Sequence, residues 1–409
     1  MTHASDPPPP VVTIRGGPPP TDPSPDGRQR PLLLALLLGL AVLAGVVAVV
    51  REPAPAPDPD CGALCRAGDP VVIGAALPLT GVLAPFGAAQ QRGAQQVVEQ
   101  VNADGGWEIA GRRRALELLV RDTGSQPDVA GQQALQLVRG PFDVVVLLGP
   151  CAPPVAMVRV AESRGVPLVT GCQPLPPVGT AALQSTWEVA PAEADRAAAV
   201  FAGLRAARGR RVALFLSNDR PGDTYTQAAD QSGFEVVGTY RPHGADWAAA
   251  VSEAAGQRAD LVVAITQAPE GIALWRELTA QGVRPELAYA SEAASGSAWY
   301  RAVGPAAEGT LTDAVHPLPA GARRGRARPG PGGADDAVAA VSGDLTRVLL
   351  DGLQKASSAT RDGVNAGLAQ ATGSVDGTPV RFTADHASRV PHRLARWQDG
   401  ELVPVPVGR

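Results

Sequence analysis

Lysine is almost absent from this chain: of 36 basic residues only Lys355 is a lysine, and the rest are arginine. Aromatic residues make up only 4% of the 409 positions, which leaves few platforms on which bases could stack. The net charge of −4 provides no field that would recruit nucleic acid, so no nucleic-acid partner is expected. The five histidines, His3, His243, His316, His386 and His392, are scattered, and the four cysteines form no C-x-x-C pair. No metal site is therefore expected. No P-loop, no G-x-S-x-G elbow, no H-E-x-x-H and no G-x-G-x-x-G following a strand is present. Neither a cofactor nor catalysis is expected.

What is present begins with an apolar run. Residues 31–50 (PLLLALLLGLAVLAGVVAVV) carry no charge. As a helix rising about 1.5 Å per residue they would span roughly 30 Å, the thickness of a bilayer core. Arg15, Arg28 and Arg30 precede the run, while only Arg51 follows it closely, ahead of Asp58 and Asp60. The positive-inside rule then keeps the amino terminus in the cytoplasm and exports the rest. A cleaved signal peptide is the rival reading. Its apolar core is usually about 7–15 residues after a short basic start, whereas this run is longer and starts at residue 31. No cysteine closes it as a lipobox would. A single-pass anchor in the cell membrane is the expectation. Residues 1–30 are Pro-rich and polar, expected to be a disordered cytoplasmic tail. Residues 51–69 read as an extracytoplasmic linker, stiffened by EPAPAPDPD at 52–60.

All four cysteines fall on the exported side, where thiols tend to pair. Cys61 and Cys65 are close enough to close a small loop. Cys151 and Cys172 each follow an expected buried strand. If those strands are neighbours about 4.8 Å apart, the two Cα atoms fit the disulfide window of about 4.4–6.8 Å. Four cysteines allow three pairings, and the sequence does not choose among them.

From residue 70 onward short apolar runs alternate with helical periods. Strands are predicted at 71–77, 115–121, 143–148, 167–170, 211–216, 234–237, 261–265 and 286–290. Runs such as DVVVLL, RVALFL and LVVAI are continuous rather than alternating, as in parallel sheets covered on both faces. Helices are predicted between them. Ala94, Val97, Val98 and Val101 share one face of the first, and Ala197, Val200, Phe201 and Leu204 repeat the spacing in 191–206. The break near WEVAP at 187–191 divides the eight steps into two lobes of four. Helices at 335–356 and 361–371 then lead to short strands at 380–382, 392–397 and 402–404. The expected fold is therefore α/β, two doubly wound parallel-sheet lobes with a hinged cleft. Lobe I takes residues 70–189 and 314–380, and lobe II takes 190–313 and 381–409. Open α/β sheets bind ligands beyond the carboxyl ends of their strands, so two such edges would face each other. The arginine-rich stretch at 319–333 reads as a basic surface loop held open by Pro and Gly.

The order PLTG at 78–81, Phe86–Gly87, Gly93–Ala94, Asn102-Ala103-Asp104-Gly105-Gly106, Gly111, Asp122, Pro127 and Ala130 resembles the amino-terminal lobe of the leucine/isoleucine/valine-binding protein family, the type I periplasmic binding proteins. LLGP at 147–150, RGVPLVT at 164–170 and GTPVRFTADHA at 377–387 continue the resemblance. It implies the same two-lobed fold with three crossovers, capture of a small solute in the cleft and service to an ABC permease. It also implies site positions. Phe86 matches a pocket aromatic, Glu292 the acid that meets a ligand ammonium, and Gln267 a second-lobe tyrosine. Where the family holds a ligand carboxylate with serine and threonine hydroxyls, this chain has Pro153 and Pro174, and Pro221 replaces another tyrosine. Ala152, Cys172 and Gln173 would line the same rim. Proline offers neither hydroxyl nor N–H, so the resemblance supports the fold more firmly than amino-acid specificity. A sensor or protein-interaction module on the same fold is the competing reading, favoured by the Pro-rich tail and the lost hydroxyls.

Overall fold

A computed structural model describes residues 12–13, 69–141, 144–151, 153–175, 182–218, 220, 222–242, 246–314 and 332–405. In lobe I, the strand β1 (Val12–Thr13) is followed by β2 (Val71–Leu77), helix α1 (Ala84–Ala103) and a hairpin of β3 (Trp107–Ile109) and β4 (Arg112–Arg114). Then come β5 (Leu116–Asp122), α2 (Pro127–Arg139), β6 (Val146–Leu148), α3 (Val155–Arg164), β7 (Leu168–Gly171) and β8 (Thr186–Ala190). Lobe II runs through α4 (Glu193–Leu204), β9 (Arg211–Leu216), α5 (Gly222–Gln231), β10 (Glu235–Tyr240) and α6 (Ala248–Gly256). It continues with β11 (Leu261–Ile265), α7 (Ala268–Ala280), β12 (Leu287–Ala290), α8 (Ser297–Val303) and β13 (Leu311–Asp313). The chain then returns through α9 (Gly332–Lys355), α10 (Arg361–Leu368), the hairpin β14 (Ser374–Val375) and β15 (Thr378–Pro379), and β16 (Ala387–Arg389). It finishes with β17 (Leu394–Gln398) and β18 (Glu401–Pro404).

The two sheets have the orders β1-β5-β2-β6-β7-β8-β16 and β10-β9-β11-β12-β13-β17-β18. Pairing is parallel except at β1–β5, β13–β17 and β17–β18. The continuous apolar runs are the central strands: all seven residues of β2 and all five of β11 are buried. Each buried valine or leucine contributes roughly 1.5–3 kcal/mol relative to exposure, so a one-residue slip of these strands is strongly disfavoured.

One boundary moves. The expected third crossing at 380–381 lies instead between Arg389 and Leu394, because β16 pairs with β8 in lobe I before β17 joins β13 in lobe II. The expected strand at 380–382 is not a strand. The misplacement has a physical cause, since β16 (ASR) carries no apolar run by which it could be read.

Several of the motif glycines and polar residues hold lobe I together. A Cβ on Gly93 would lie 1.9 Å from the Ala339 carbonyl oxygen, so only glycine lets α1 lie this close to α9. Likewise a Cβ on Gly87 would lie 2.1 Å from the Pro78 oxygen. Asn102 exchanges two 2.8 Å hydrogen bonds with the backbone of Leu116. Asp122 accepts from the N–H groups of Leu79, Thr80 and Gly124 and from the Thr80 hydroxyl. Burial works to raise the Asp122 carboxyl, but the bonds from Thr80, Gly124 and Leu79 outweigh it and hold it below the usual carboxylate range.

Among the described residues no helix is long and apolar enough to cross a membrane. Residues 31–50 and the pair Cys61 and Cys65 lie outside the described residues, as do most of the basic stretch 319–333, His3, His243 and His316.

Candidate functional site

The cleft opens where the carboxyl ends of the two sheets meet. It holds about 600 Å³ of empty space, its open mouth included. Lobe I supplies Ala76 and Pro78 at the end of β2, Leu83, Phe86 and Gln90 on and before α1, Thr123, Ser125, Gln126 and Pro127 after β5, and Pro150 and Pro154 after β6. Lobe II closes it with Gln267, Ala268 and Pro269, the start of α7 after β11. No charged side chain is among these described lining residues.

Some of the polar groups in the wall are already engaged. Ser125 Oγ donates to the Thr80 oxygen at 2.6 Å and accepts from Leu83 N–H at 3.0 Å. The Gln267 N–H is shared between Ser217 Oγ (2.9 Å) and Glu270 Oε2 (3.2 Å). Gln90 is 2% exposed, and its Oε1 accepts from Cys151 N–H at 3.0 Å. Its Nε2 has no partner among the described residues.

Of the residues the sequence nominated, Phe86 and Gln267 face this cavity together, one from each lobe. Cys172 and Gln173 do not. Cys172 is joined to Cys151, with Cα atoms 5.0 Å apart, and it faces a separate hollow beside Asp313 and His392. The Gln173 amide is buried and donates to Asp313 Oδ2 at 2.7 Å across the lobes. Glu292 opens the short 3₁₀ turn Glu292–Ser295 beyond β12, but its side chain lies outside the described residues. That turn leads to Gly296, which packs against Phe86: a Cβ there would lie 2.9 Å from Phe86 Cδ2. Ala152 and Pro221 also lie outside the described residues.

A second cluster sits at the hinge and was not read from the sequence. The Arg196 guanidinium is fully buried. It donates to Tyr289 Oη at 3.1 and 3.2 Å and to Asp313 Oδ2 at 3.1 Å. Tyr289 also donates to Asp313 Oδ1, and His392 Nε2 lies 3.3 Å from that oxygen. Arg196 follows the first crossing between lobes, Asp313 precedes the second, and His392 lies in the third. Two more residue pairs span the lobes. Arg220 donates to the Pro174 oxygen at 2.8 Å, and Ser297 donates to Asp335 through both its hydroxyl (2.5 Å) and its N–H (3.1 Å).

Burial pushes the His392 imidazole down, with Asp313 pulling the other way, and burial likewise lowers His386. A histidine held neutral in the fold takes up its proton more readily unfolded. Below about pH 6.5 the unfolded chain therefore binds more protons, and stability is lost as pH falls toward the lowered folded values. Urea unfolding at about pH 7.5 and about pH 5.5 should give a smaller free energy at the lower pH, with a slope of at most about 1.4 kcal/mol per pH unit for each histidine. A flat profile would exclude these two histidines as the cause.

The family model described as "Periplasmic binding protein" matches residues 70–401. The chain belongs to that family. Solved structures agree on the fold of this periplasmic binding protein. A leucine-binding protein from Thermotoga maritima superposes with a TM-score of 0.67 at 19% identity, covering 82% of this chain and 98% of its own. A type 1 periplasmic binding protein from Bordetella pertussis Tohama I gives 0.67 at 20% identity, covering 83% and 100%. An ABC-transporter solute-binding protein from R. palustris, solved with benzoate, gives 0.61 at 18% identity, covering 82% and 95%. At such identities the likeness speaks to fold alone. No curated protein sequence matches the chain. Solute binding is the function of this family, and the cleft of this chain lies between the carboxyl edges of the two sheets.

Proposed function

We propose that this binding protein works outside the cytoplasm, tethered to the cell membrane by residues 31–50, and passes a small solute from its cleft to an ABC-type permease. The observation that carries the reading is the cavity lined from both lobes at the strand ends, where lobe closure encloses a ligand. The bonds Ser297–Asp335, Arg220–Pro174 and Gln173–Asp313 support a closed arrangement that a ligand would stabilise. Phe86 and Gln267 are the proposed contacts among the nominated residues, and Glu292 remains a candidate through the position of its turn.

Anchoring rests on the apolar run. Its eight leucines and five valines each favour insertion by about 0.3–0.6 kcal/mol at the bilayer centre. The edge pairing of Val12 with Val120 and Thr13 with Leu119 would hold the tail on the same side as lobe I. Two residues of edge pairing are marginal beside several kcal/mol of insertion, so the tethered form gives up β1.

A thermal-shift screen of the full chain in detergent tests the reading, using amino acids, amides, polyamines and small aromatics. A ligand at about 100 times its Kd adds about 2.7 kcal/mol to the folded state, enough to raise Tm by several degrees. A screen without any shift would count against solute capture. The competing sensor reading draws on the Pro-rich tail and predicts the same shifts but no uptake defect on deletion.

A further inference from the structure

Ser297 opens α8 in lobe II, and the residue before it, Gly296, has no side chain with which to cap that helix. A Cβ at Gly296 would crowd Phe86 Cδ2 of lobe I at 2.9 Å. The cap comes instead from the other lobe. Asp335, in the first turn of α9, accepts the Ser297 hydroxyl at 2.5 Å and its N–H at 3.1 Å. Ser297 is fully buried, and bonds to a carboxylate are stronger than those between neutral groups.

Both ends of this contact are tied to the cavity wall. In lobe I, α9 is held against α1, the helix that carries Phe86 and Gln90, and Ser342 Oγ donates to the Gln90 backbone oxygen at 2.7 Å. In lobe II, Trp299 of α8 packs edge-on against Trp275 of α7, with ring centroids 5.3 Å apart and both side chains buried. Helix α7 begins with Ala268 and Pro269, which close the cavity from that side. Close-packed aromatic rings transmit displacement rather than absorb it.

We infer that the Ser297–Asp335 pair is a latch that sets how far the two lobes stay closed. Asp335 is then a positioning residue: through α8 and α7 it holds the lobe II wall of the cleft over Phe86. The inference rests on the solute-binding reading above and deepens it. Opening the cleft separates Ser297 from Asp335, and water replaces the carboxylate at both donors. That exchange makes the latch releasable, because only the net gain of hydrogen bonds to a charged group favours closure, about tenfold or somewhat more in population.

Pulsed electron paramagnetic resonance on the full chain in detergent, with no solute added, tests this. Spin labels go on Asp128→Cys in lobe I and Ala280→Cys in lobe II, both exposed positions, and the parent chain labelled in the same way supplies the background. Asp335→Ala is expected to shift the ratio of short to long interlobe distances about tenfold toward the long. Asp335→Asn keeps a carbonyl acceptor and should shift it less. Ser297→Ala removes the hydroxyl alone, should shift it in the same direction, and decides the matter if Asp335→Ala does not fold. The control is Asp336→Ala, which removes the neighbouring acid, placed 3.8 Å from Arg92 within lobe I and exposed; it should leave the distances unchanged. Thermal melts report that each variant folds. Unchanged distances in folded Asp335→Ala and Ser297→Ala would reduce Asp335 to a local helix cap and overturn the latch, as would an equal shift in Asp336→Ala. Because no solute enters this measurement, the latch can fail while solute capture stands, and the thermal-shift screen judges solute capture separately.

Discussion

Arg196→Met is expected to lower the unfolding free energy by about 3–5 kcal/mol, the usual cost of removing one partner from a buried ion pair. The reason is what would remain. Asp313 would stay buried at 4% exposure, with Tyr289 and Gln173 as donors but with its guanidinium gone. Burying a carboxylate without a cation costs several kcal/mol, whereas the methionine recovers part of the lost packing volume. Urea denaturation of the full chain in detergent measures the loss. A companion Asp313→Asn and the double variant complete a cycle, in which the pair should show a coupling of about 1–3 kcal/mol. A single-variant loss below about 1 kcal/mol would mean that the hinge does not depend on this pair.

Breaking the Cys151–Cys172 bridge is the second large effect. The two residues are 21 apart in sequence, and closing a loop of that size removes about 3 kcal/mol of freedom from the unfolded chain. Cys151→Ala with Cys172→Ala should therefore cost about 3 kcal/mol in urea unfolding. The wild-type chain unfolded under reducing conditions should lose a similar amount. Non-reducing peptide maps should recover the linked pair from the native protein; free thiols at both positions would end the argument. The bridge also borders the cleft, because the Cys151 N–H fixes Gln90. Its loss should weaken ligand binding even where the chain remains folded.

Much of the fold was legible because continuous burial leaves a continuous apolar signal. Strands 71–77, 211–216 and 261–265 lie where the runs placed them, and the neighbouring strands β6 and β7 bring Cys151 and Cys172 within bonding distance. The return of the chain to lobe II comes about ten residues later than the apolar pattern indicates, since β16 is held by backbone pairing with β8 rather than marked by an apolar run of its own. In the candidate site, Phe86 and Gln267, named by the family pattern, both line the cavity. Gln90 was not named, although it falls one helical turn after Phe86 on the buried face of α1, and a lone amide on that face was the available signal. Gln173 was read as a ligand group, but it is taken up by Asp313, 140 residues away.

By itself the sequence determined the alternation of strand and helix, the division into two lobes and the strand ends at which a cleft would form. These follow from periodicity and from which residues must leave water, both local properties of the chain. Only the tertiary structure decided which polar groups are spent and which are free. That Gln173 is engaged, that Gln90 Nε2 has no partner among the described residues, and that Pro127, Pro154 and Pro269 line one cavity depend on partners far apart in sequence, and hydrogen bonds are made between neighbours in space.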